Sequence, residues 1–377
     1  VNNLHISLTE FKNESRVLKE VNSILNYNIV SKVYIASLHA DKLEEEKIYK
    51  DNLILNRFKL SSKKLPKNIF IQIFKYFEFM FKIISFYKNK DIKIINIHTV
   101  SLLPLGVVLK YLYKAKLVYD THELETEIVG FGGIRKKLAK FIEKIFIKKC
   151  NMVFVVGENI ANWYEKEYNI PRPIVIKNAP RFFELKKNNH FRNNLSIKKE
   201  SKIALYQGGL SQGRGIDLLL QCFKKREDDK VVMVFMGYGE LENDIKSLAK
   251  IKNNIFFYPA VDPDIVLEYT SSADFGISMI ENTCLNDYYC MPNKLFEYIM
   301  AGLPVIVSNL PEMKELVEYY DIGVVADYKV ESVNRAIDEI LDLNMGQIGK
   351  NIRKCAKENS WEEEEIKMIN EYKRVLI

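Results

Sequence analysis

Three short segments of this 377-residue chain carry residue types whose spacing suits a phosphorylated ligand. The first runs from Tyr289 through Pro292-Asn293-Lys294-Leu295-Phe296-Glu297-Tyr298 to Ala301-Gly302-Leu303-Pro304-Val305. Pro292 suits the first turn of a helix, where no amide hydrogen is needed. Gly302 suits its end, so the spacing predicts a helix over Asn293 to Met300. The free N–H groups and dipole of such a helix favour an anion at its start. Glu297 lies about one turn inside, where a carboxylate can accept the paired hydroxyls of a ribose whose phosphates sit at the helix start. The second reading is a capped surface helix whose Glu297 merely complements the positive end of the dipole. The residues alone leave the two open.

The second segment is Gln207-Gly208-Gly209-Leu210-Ser211-Gln212-Gly213-Arg214-Gly215, directly after an apolar run. Glycines after a strand let a backbone approach phosphate closely, and Arg214 supplies a fork-shaped charge for a diphosphate. The spacing is neither the dinucleotide fingerprint nor a P-loop, since no Gly-Lys-Ser/Thr follows. Gly237-Tyr238-Gly239 after the next apolar run places a matching turn on the same sheet edge. The third segment, Tyr119-Asp120-Thr121-His122-Glu123, ends another strand-like run. His122 there can touch substrate hydroxyls or serve as a hydrogen-bonded turn residue.

The elements that must hold these segments alternate. Val30 to Ser37, Ile92 to Ile97, Leu117 to Tyr119, Met152 to Val156 and Ile174 to Ile176 read as strands. Between them lie helical periods such as Arg16 to Leu25, with Ser15 as its N-cap, and Ile134 to Cys150. Strands without clear alternation, joined by helices, indicate parallel sheets covered on both faces. The pattern restarts with strands at Lys202 to Tyr206, Val231 to Met236, Ile255 to Tyr258, Phe275 to Met279 and Val305 to Val307. The polar, basic stretch Asn178 to Glu200 is expected to link the two halves. The expected class is therefore α/β, two Rossmann-like doubly wound domains facing a cleft, over residues 1–180 and 181–360. Ligands bind beyond the C-terminal strand ends of such sheets.

Composition bounds the rest. An apolar fraction of 47 % suffices for two buried cores. A net charge of +7 permits an anionic partner without choosing nucleotide, membrane or nucleic acid. No recognition-helix or aromatic-basic motif supports nucleic acid. Cys150, Cys222, Cys284, Cys290 and Cys355 show neither a Cys-x-x-Cys pair nor zinc-ligand spacing, so ordinary thiols in a reducing, cytoplasmic setting are expected and no metal is. No run of about 18 apolar residues predicts a spanning helix. Asn2 to Ile6 reads as a strand rather than a signal peptide.

Phe70 to Lys90 is dense in aromatic residues, with Lys75, Glu78, Lys82, Ser85 and Lys88 as a narrow polar stripe. Ile134 to Cys150 carries Lys136, Lys137, Lys140, Lys144 and Lys148 on one side and Ile134, Leu138, Phe141, Ile142 and Ile145 on the other. These helices either cover the core behind a solvated lysine face or dock peripherally on anionic lipid at the inner face of the plasma membrane.

Together the segments resemble the retaining GT-B glycosyltransferases of family 4 (glycosyl transferases group 1) over nearly the whole chain. "VYDTHE" is similar to the family's acceptor-side motif. "GGLSQGRGIDLLL", "GYGELENDI" and, most specifically, "PNKLFEYIMAGLPVIVS" are similar to its donor domain. "SWEEEEIKMINEY" resembles the terminal helix, about 361–377, that returns to the N-terminal domain. The resemblance implies an acceptor-binding first domain and a donor-binding second one. Arg214 would contact the donor diphosphate and Glu297 the ribose. The backbone from Asn293 to Leu295 would cap the phosphates, Ala260 and Val261 would meet the base, and His122 would sit near the transferred sugar. Two positions depart from the pattern. Gly209 stands where the family often has Arg, and Tyr289 stands eight before Glu297, where the family has its first glutamate. Glu281 can replace that carboxylate only if the intervening "NTCLNDYYCM" loops back.

The expected activity is metal-independent, cofactor-free sugar transfer. It runs from a nucleotide-sugar, UDP-sugar favoured, to a glycan or lipid-linked hydroxyl in bacterial surface polysaccharide or glycan assembly. The rivals are a nucleotide-sugar epimerase, a sugar phosphorylase or another cleft enzyme of this architecture, and a non-enzymatic nucleotide-binding module. Release of nucleotide diphosphate from sugar-nucleotides separates them.

Overall fold

The computed structural model describes residues 1–376 other than 13, 67, 183, 185, 186 and 229, and of Ile69 the backbone alone. The expected linker zone thus includes three residues outside the described ones, and so does the last residue of the expected terminal helix. The chain divides into two compact units, Val1–Ile176 with Glu365–Ile377, and Lys177–Glu364.

The first unit runs β1 (Asn2–Ile6), α1 (Ser15–Asn26), β2 (Lys32–Leu38), β3 (Glu46–Lys50), β4 (Leu53–Phe58), α2 (Ile69–Tyr87), β5 (Ile92–Ile97), α3 (Leu103–Tyr113), β6 (Lys116–Asp120), α4 (Gly133–Phe146), β7 (Met152–Val155), α5 (Glu158–Tyr168) and β8 (Ile174–Val175). Its sheet has the order β3-β4-β2-β1-β5-β6-β7-β8. The pairings are parallel except at the rim, where β3 runs antiparallel to β4. That hairpin corrects the expectation of purely parallel sheets. Exposed Glu46, Lys47 and Lys50 on β3 blunt the sheet edge. Inner strands are buried on both faces, so they read as continuous apolar runs. Ser15 does not cap α1 as expected. Glu14 occupies the cap position without a side-chain bond, and Ser15 lies in the first turn.

The second unit runs α6 (His190–Leu195), β9 (Lys202–Gly209), α7 (Ile216–Lys225), β10 (Val231–Tyr238), α8 (Glu242–Ala249), β11 (Ile255–Pro259), α9 (Val266–Thr270), β12 (Phe275–Ser278), α10 (Leu285–Tyr288), α11 (Asn293–Met300), β13 (Val305–Ser308), α12 (Pro311–Tyr320), β14 (Gly323–Ala326), α13 (Val330–Leu341) and α14 (Met345–Glu358). Its sheet order is β11-β10-β9-β12-β13-β14, parallel throughout. Period-2 alternation divides each strand between two cores. Ile203, Leu205, Val232 and Val234 enter one cluster, while Ala204, Tyr206, Met233 and Phe235 enter the other. Each fully buried Val, Leu or Ile contributes roughly 1.5–3 kcal/mol of transfer free energy, so both helical layers are pinned. The direction of winding reverses between β9 and β12, and a doubly wound sheet opens a crevice at such a point.

The final helix, α15 (Trp361–Leu376), crosses the boundary between the units. Within the first unit Glu365 accepts a hydrogen bond from Ser23 at 2.5 Å, and Tyr372 accepts one from Asn96 Nδ2 at 2.5 Å.

Candidate active site

In the second unit the glycine turns lie side by side. Strand register sets Gly208 against Gly237 and Gly209 against Tyr238, with Pro259 beyond Gly237, so Ala260 and Val261 follow at the same edge. Gly237 packs so tightly that a Cβ would lie 1.9 Å from the Gly208 carbonyl oxygen. At Gly215, φ is +81° and a Cβ would meet the Met279 carbonyl at 2.4 Å. Backbone therefore touches backbone here, and the loop carrying Arg214 is held flat against the end of β12. Gly239 lies under the Leu210 carbonyl, while Tyr238 is largely exposed.

Two cations stand at this edge. Arg214 is exposed, and Lys294 lies half-buried with its Nζ 3.6 Å from the Tyr206 ring centroid. Among the described residues neither makes an ion pair. Burial, reinforced by the nearby Arg214 charge, brings the Lys294 ammonium down to about 7, although Glu297 pulls the other way. Lys294 lies in the first turn of α11, with Pro292 at the cap and Gly302 in the left-handed region past the end, as the spacing predicts. The Leu295 N–H turns back to the Pro292 carbonyl at 3.0 Å. Among the described residues the N–H groups of Asn293 and Lys294 have no backbone acceptor, which suits an anion at a helix start. The Asn293 side chain accepts a hydrogen bond from Asn178 at 3.0 Å.

Glu297 is not a bare surface carboxylate. It accepts a hydrogen bond from Gln207 Nε2, and Gln207 Oε1 accepts one from Thr270 at 2.7 Å. The Gln207 N–H donates to the Tyr298 hydroxyl at 3.0 Å. Glu297 is thereby oriented from β9 and α9 as well as by its own helix. The Glu281 N–H donates to the Gly213 carbonyl at 3.1 Å, one residue from Arg214. Arg214, Lys294, Glu297, the glycine turns and the Glu281 loop thus share one sheet edge. The sequence names Arg214 and Lys294 as donor-side residues; it missed the Lys294 contact with the Tyr206 ring and the support of Glu297 by Gln207 and Thr270.

The first unit also loads its C-terminal edge. Asp120, at the end of β6, is buried and accepts from His122 Nε2 at 2.9 Å, His98 Nδ1 at 3.1 Å and the Arg16 guanidinium at 2.7 Å. Burial alone would raise the Asp120 carboxyl, but the Arg16 charge and then His122 hold it well below its usual range. His122 is 31 % exposed, and burial lowers its pKa against the pull of Asp120. The network continues inward through His5, 3.0 Å from His98, to Asn3 at 2.8 Å. Ligand-type atoms of His98, Asp120 and His122, and of His5, Glu20 and His98, lie within 4.8 Å of one another. The Asp120 oxygens are already taken by two imidazoles and Arg16, and a divalent ion would face that guanidinium. The donor set therefore fits an internal hydrogen-bond network better than a metal centre. His122 is a hydrogen-bonded residue that stays partly exposed at the strand end.

Two doubly wound parallel-sheet units, each carrying its polar residues at the C-terminal strand ends, define the GT-B class of architecture. The chain belongs to the family 4 glycosyltransferases of that class. Residues 187–359 match the model described as Glycosyl transferases group 1, and residues 32–179 match Glycosyltransferase Family 4. An uncharacterized glycosyltransferase of Methanocaldococcus jannaschii is 25 % identical over 93 % of this chain and 90 % of its own length. The alpha-monoglucosyldiacylglycerol synthase of Streptococcus pneumoniae is 24 % identical over 74 % of this chain and 66 % of its own. Among solved structures, sucrose-phosphate synthase from Thermosynechococcus elongatus matches with a TM-score of 0.81 at 14 % identity, covering 100 % of this chain and 99 % of that one. Anabaena HepE in complex with UDP-glucose matches with a TM-score of 0.72 at 13 % identity, covering 100 % and 99 %. The protein is thus a glycosyltransferase.

Proposed function

We propose that this glycosyltransferase takes a sugar from a UDP-sugar and moves it, with retention, to a hydroxyl of a glycan or lipid-linked acceptor in bacterial surface polysaccharide or glycan assembly. The observation that carries the donor assignment is the pair of cations, Arg214 and Lys294, left without ion-pair partners among the described residues beside an open helix start. Two neighbouring positive charges on a tight glycine edge repel each other until an anion lies between them. A diphosphate supplies charge that a guanidinium fork and a point ammonium can share.

In this reading Arg214, Lys294 and the N–H groups of Asn293 and Lys294 stabilise the departing diphosphate oxygen, which is where charge develops. They supply that stabilisation without a metal ion. Glu297, held by Gln207, accepts the ribose hydroxyls, Glu281 takes the place of the family's first glutamate, and Ala260 and Val261 meet the base. The departing phosphate removes the proton of the acceptor hydroxyl on the face it leaves, so the new bond forms on that same face. His122 contacts hydroxyls of the transferred sugar. HepE, the structure solved with UDP-glucose, shares the fold and supports a uridine donor.

The test is a panel of UDP-, GDP-, ADP- and CMP-sugars assayed for release of nucleotide with and without acceptor hydroxyls. Release of UDP that rises with acceptor is expected. Equilibration of donor sugars without release of nucleotide diphosphate points instead to an epimerase.

A further inference from the structure

Two helices of the first unit show apolar side chains outward, and one of them, α4, is packed with its polarity reversed. On α4 the apolar side is the exposed one. Ile134 is 85 % exposed, and Leu138, Phe141 and Ile145 stand out beside it at helical spacing. The inward side is polar and fully engaged. Buried Glu143 accepts the hydroxyls of Tyr119, Tyr164 and Tyr168 at 2.9, 2.8 and 2.6 Å. Lys136 and Lys140 turn to Glu127 at 2.6 and 2.9 Å. This corrects the first sequence reading, in which the apolar side covers the core and all five lysines form a solvated face.

On α2 an apolar stripe, Phe79, Ile83 and Tyr87, is buried, yet a second apolar stripe stays outside. The polar stripe of α2 faces the turn at residues 61–64. Glu78 accepts the N–H groups of Ser61 and Ser62 at 2.7 and 3.0 Å, and Lys82 donates to the Lys59 carbonyl at 2.7 Å. The stripe flanking the polar one, Phe70, Phe74, Phe77 and Phe81, is exposed, Phe70 by 80 %. Between the two lies α3. Its Tyr113 hydroxyl donates to the Ile84 carbonyl of α2 at 2.8 Å, and it packs on α4. It adds exposed Tyr111 and Leu112. Three adjacent helices therefore show apolar and aromatic side chains outward. Such a contiguous patch marks an interaction site rather than the scattered exposure normal for a surface.

Charge decides the occupant. Among the described residues, the exposed charged side chains of α2, α3 and α4 are Arg135, Lys137 and Lys144, all basic, with Lys148 and Lys149 just beyond. The carboxylates of these helices, Glu78 and Glu143, are turned inward and bonded. A second copy of the same face would bring like charges together. A bilayer with anionic headgroups accepts aromatic rings at its acyl boundary and lysines at its surface. Among the described residues no helix is long and apolar enough to cross a membrane. We propose that the α2–α3–α4 face of the first unit docks on an anionic lipid surface, lying in the interface rather than spanning it. This stands apart from the assignment of donor and acceptor, because none of its residues belongs to the donor edge.

The test is co-sedimentation of the full chain with vesicles of phosphatidylcholine alone and with added phosphatidylglycerol. Three proteins are compared: wild type, Phe74→Ser/Phe77→Ser/Phe141→Ser, and Lys137→Glu/Lys144→Glu. All these side chains are exposed, so the variants should melt as the wild type does, and UDP binding serves as a second check that each is folded. Binding to the phosphatidylglycerol vesicles is expected, weakening with salt. Each variant should lose about tenfold or more in partition, since apolar insertion and headgroup attraction act together. The proposal is overturned if wild type stays in the supernatant with anionic vesicles, or if both variants sediment like wild type. It is equally overturned if the wild type forms a concentration-dependent dimer that the phenylalanine variant abolishes while lipid binding is absent.

Discussion

Lys294 Nζ lies 3.6 Å from the centroid of the Tyr206 ring, within reach of the Arg214 charge, and this half-buried, crowded position brings its ammonium down to about 7. Anion binding should reverse that depression, so UDP binding above neutrality should take up a proton. Affinity for UDP is expected to fall as pH rises through about 7 and to approach tenfold per pH unit above about pH 8. Calorimetric titration in two buffers of different ionisation enthalpy measures the uptake directly. A flat profile with no proton uptake would remove Lys294 from the phosphate site.

The same depression has a stability consequence of known sign. A lysine whose folded pKa is lowered binds its proton less tightly in the folded chain than in the unfolded one. Stability therefore falls as pH drops from the ordinary lysine range, about 10.4, toward about 7, and the penalty is complete below that. Lys294→Met should raise the melting temperature at neutral pH while weakening UDP binding, the trade-off expected where a functional charge is held at a cost. A variant that melts lower and binds UDP normally contradicts this.

Arg214→Ala should cut turnover with saturating donor by about 10²-fold or more, the usual effect of removing one donor to a developing oxyanion. Arg214→Lys should restore only part of that loss, because a point charge cannot reproduce the fork. Initial rates of UDP release decide it. Near-wild-type turnover in the alanine variant would leave Arg214 without a role in leaving-group stabilisation.

Glu297→Gln separates ribose from diphosphate. Losing a charged hydrogen bond costs about 1.5–3 kcal/mol, so UDP should bind roughly ten- to a hundredfold more weakly. Inorganic pyrophosphate should bind as to the wild type. An equal loss for both ligands would mean that Glu297 merely shapes α11. Gln207→Leu, which frees Glu297 from its anchor, should show a smaller loss in the same direction.

Asp120 and His122 should part company on stability. Asp120→Asn removes one of the two buried carboxylates beside Arg16, Glu20 remaining at 3.0 Å, together with the shared acceptor of His98 and His122, and should cost about 1–3 kcal/mol. His122→Ala, at a half-exposed position, should cost less than about 1 kcal/mol yet lower turnover with UDP affinity unchanged. Denaturant titration and kinetics on both variants supply the readouts. Because the Asp120 carboxyl is depressed, its contribution is present above the unfolded carboxylate range, about 3.9. It disappears as pH falls through the folded value, so the wild type should show a late acid transition that Asp120→Asn lacks.

The sequence speaks most clearly where one element's local chemistry suffices. Pro292 and Gly302 bracket α11 because each satisfies a backbone requirement at a helix end, and Gly208 with Gly237 mark one edge because two successive parallel strands must end in register. The rim hairpin β3–β4 was not legible, since Glu46 to Lys50 is polar and pairs only with a neighbour on one side. The orientation of α2 and α4 was open for a related reason. Amphipathic spacing reveals two faces; on α4 Glu143 draws the polar one inward through bonds to Tyr119, Tyr164 and Tyr168, and α2 has more apolar surface than the Phe79, Ile83 and Tyr87 stripe it buries. His5, His98 and Asp120 did leave a trace. Each is a polar residue at the end of an apolar strand, in "NLHIS", "IINIHTV" and "VYDTHE", but their union needs the strand order β1-β5-β6, which no local pattern supplies.

A structure of the chain with UDP bound tests the central claim most directly. The account predicts the diphosphate within hydrogen-bond distance of Arg214, Lys294 and the Asn293 N–H, with the ribose hydroxyls on Glu297. A nucleotide seated elsewhere, or one whose diphosphate faces away from both cations, would contradict it.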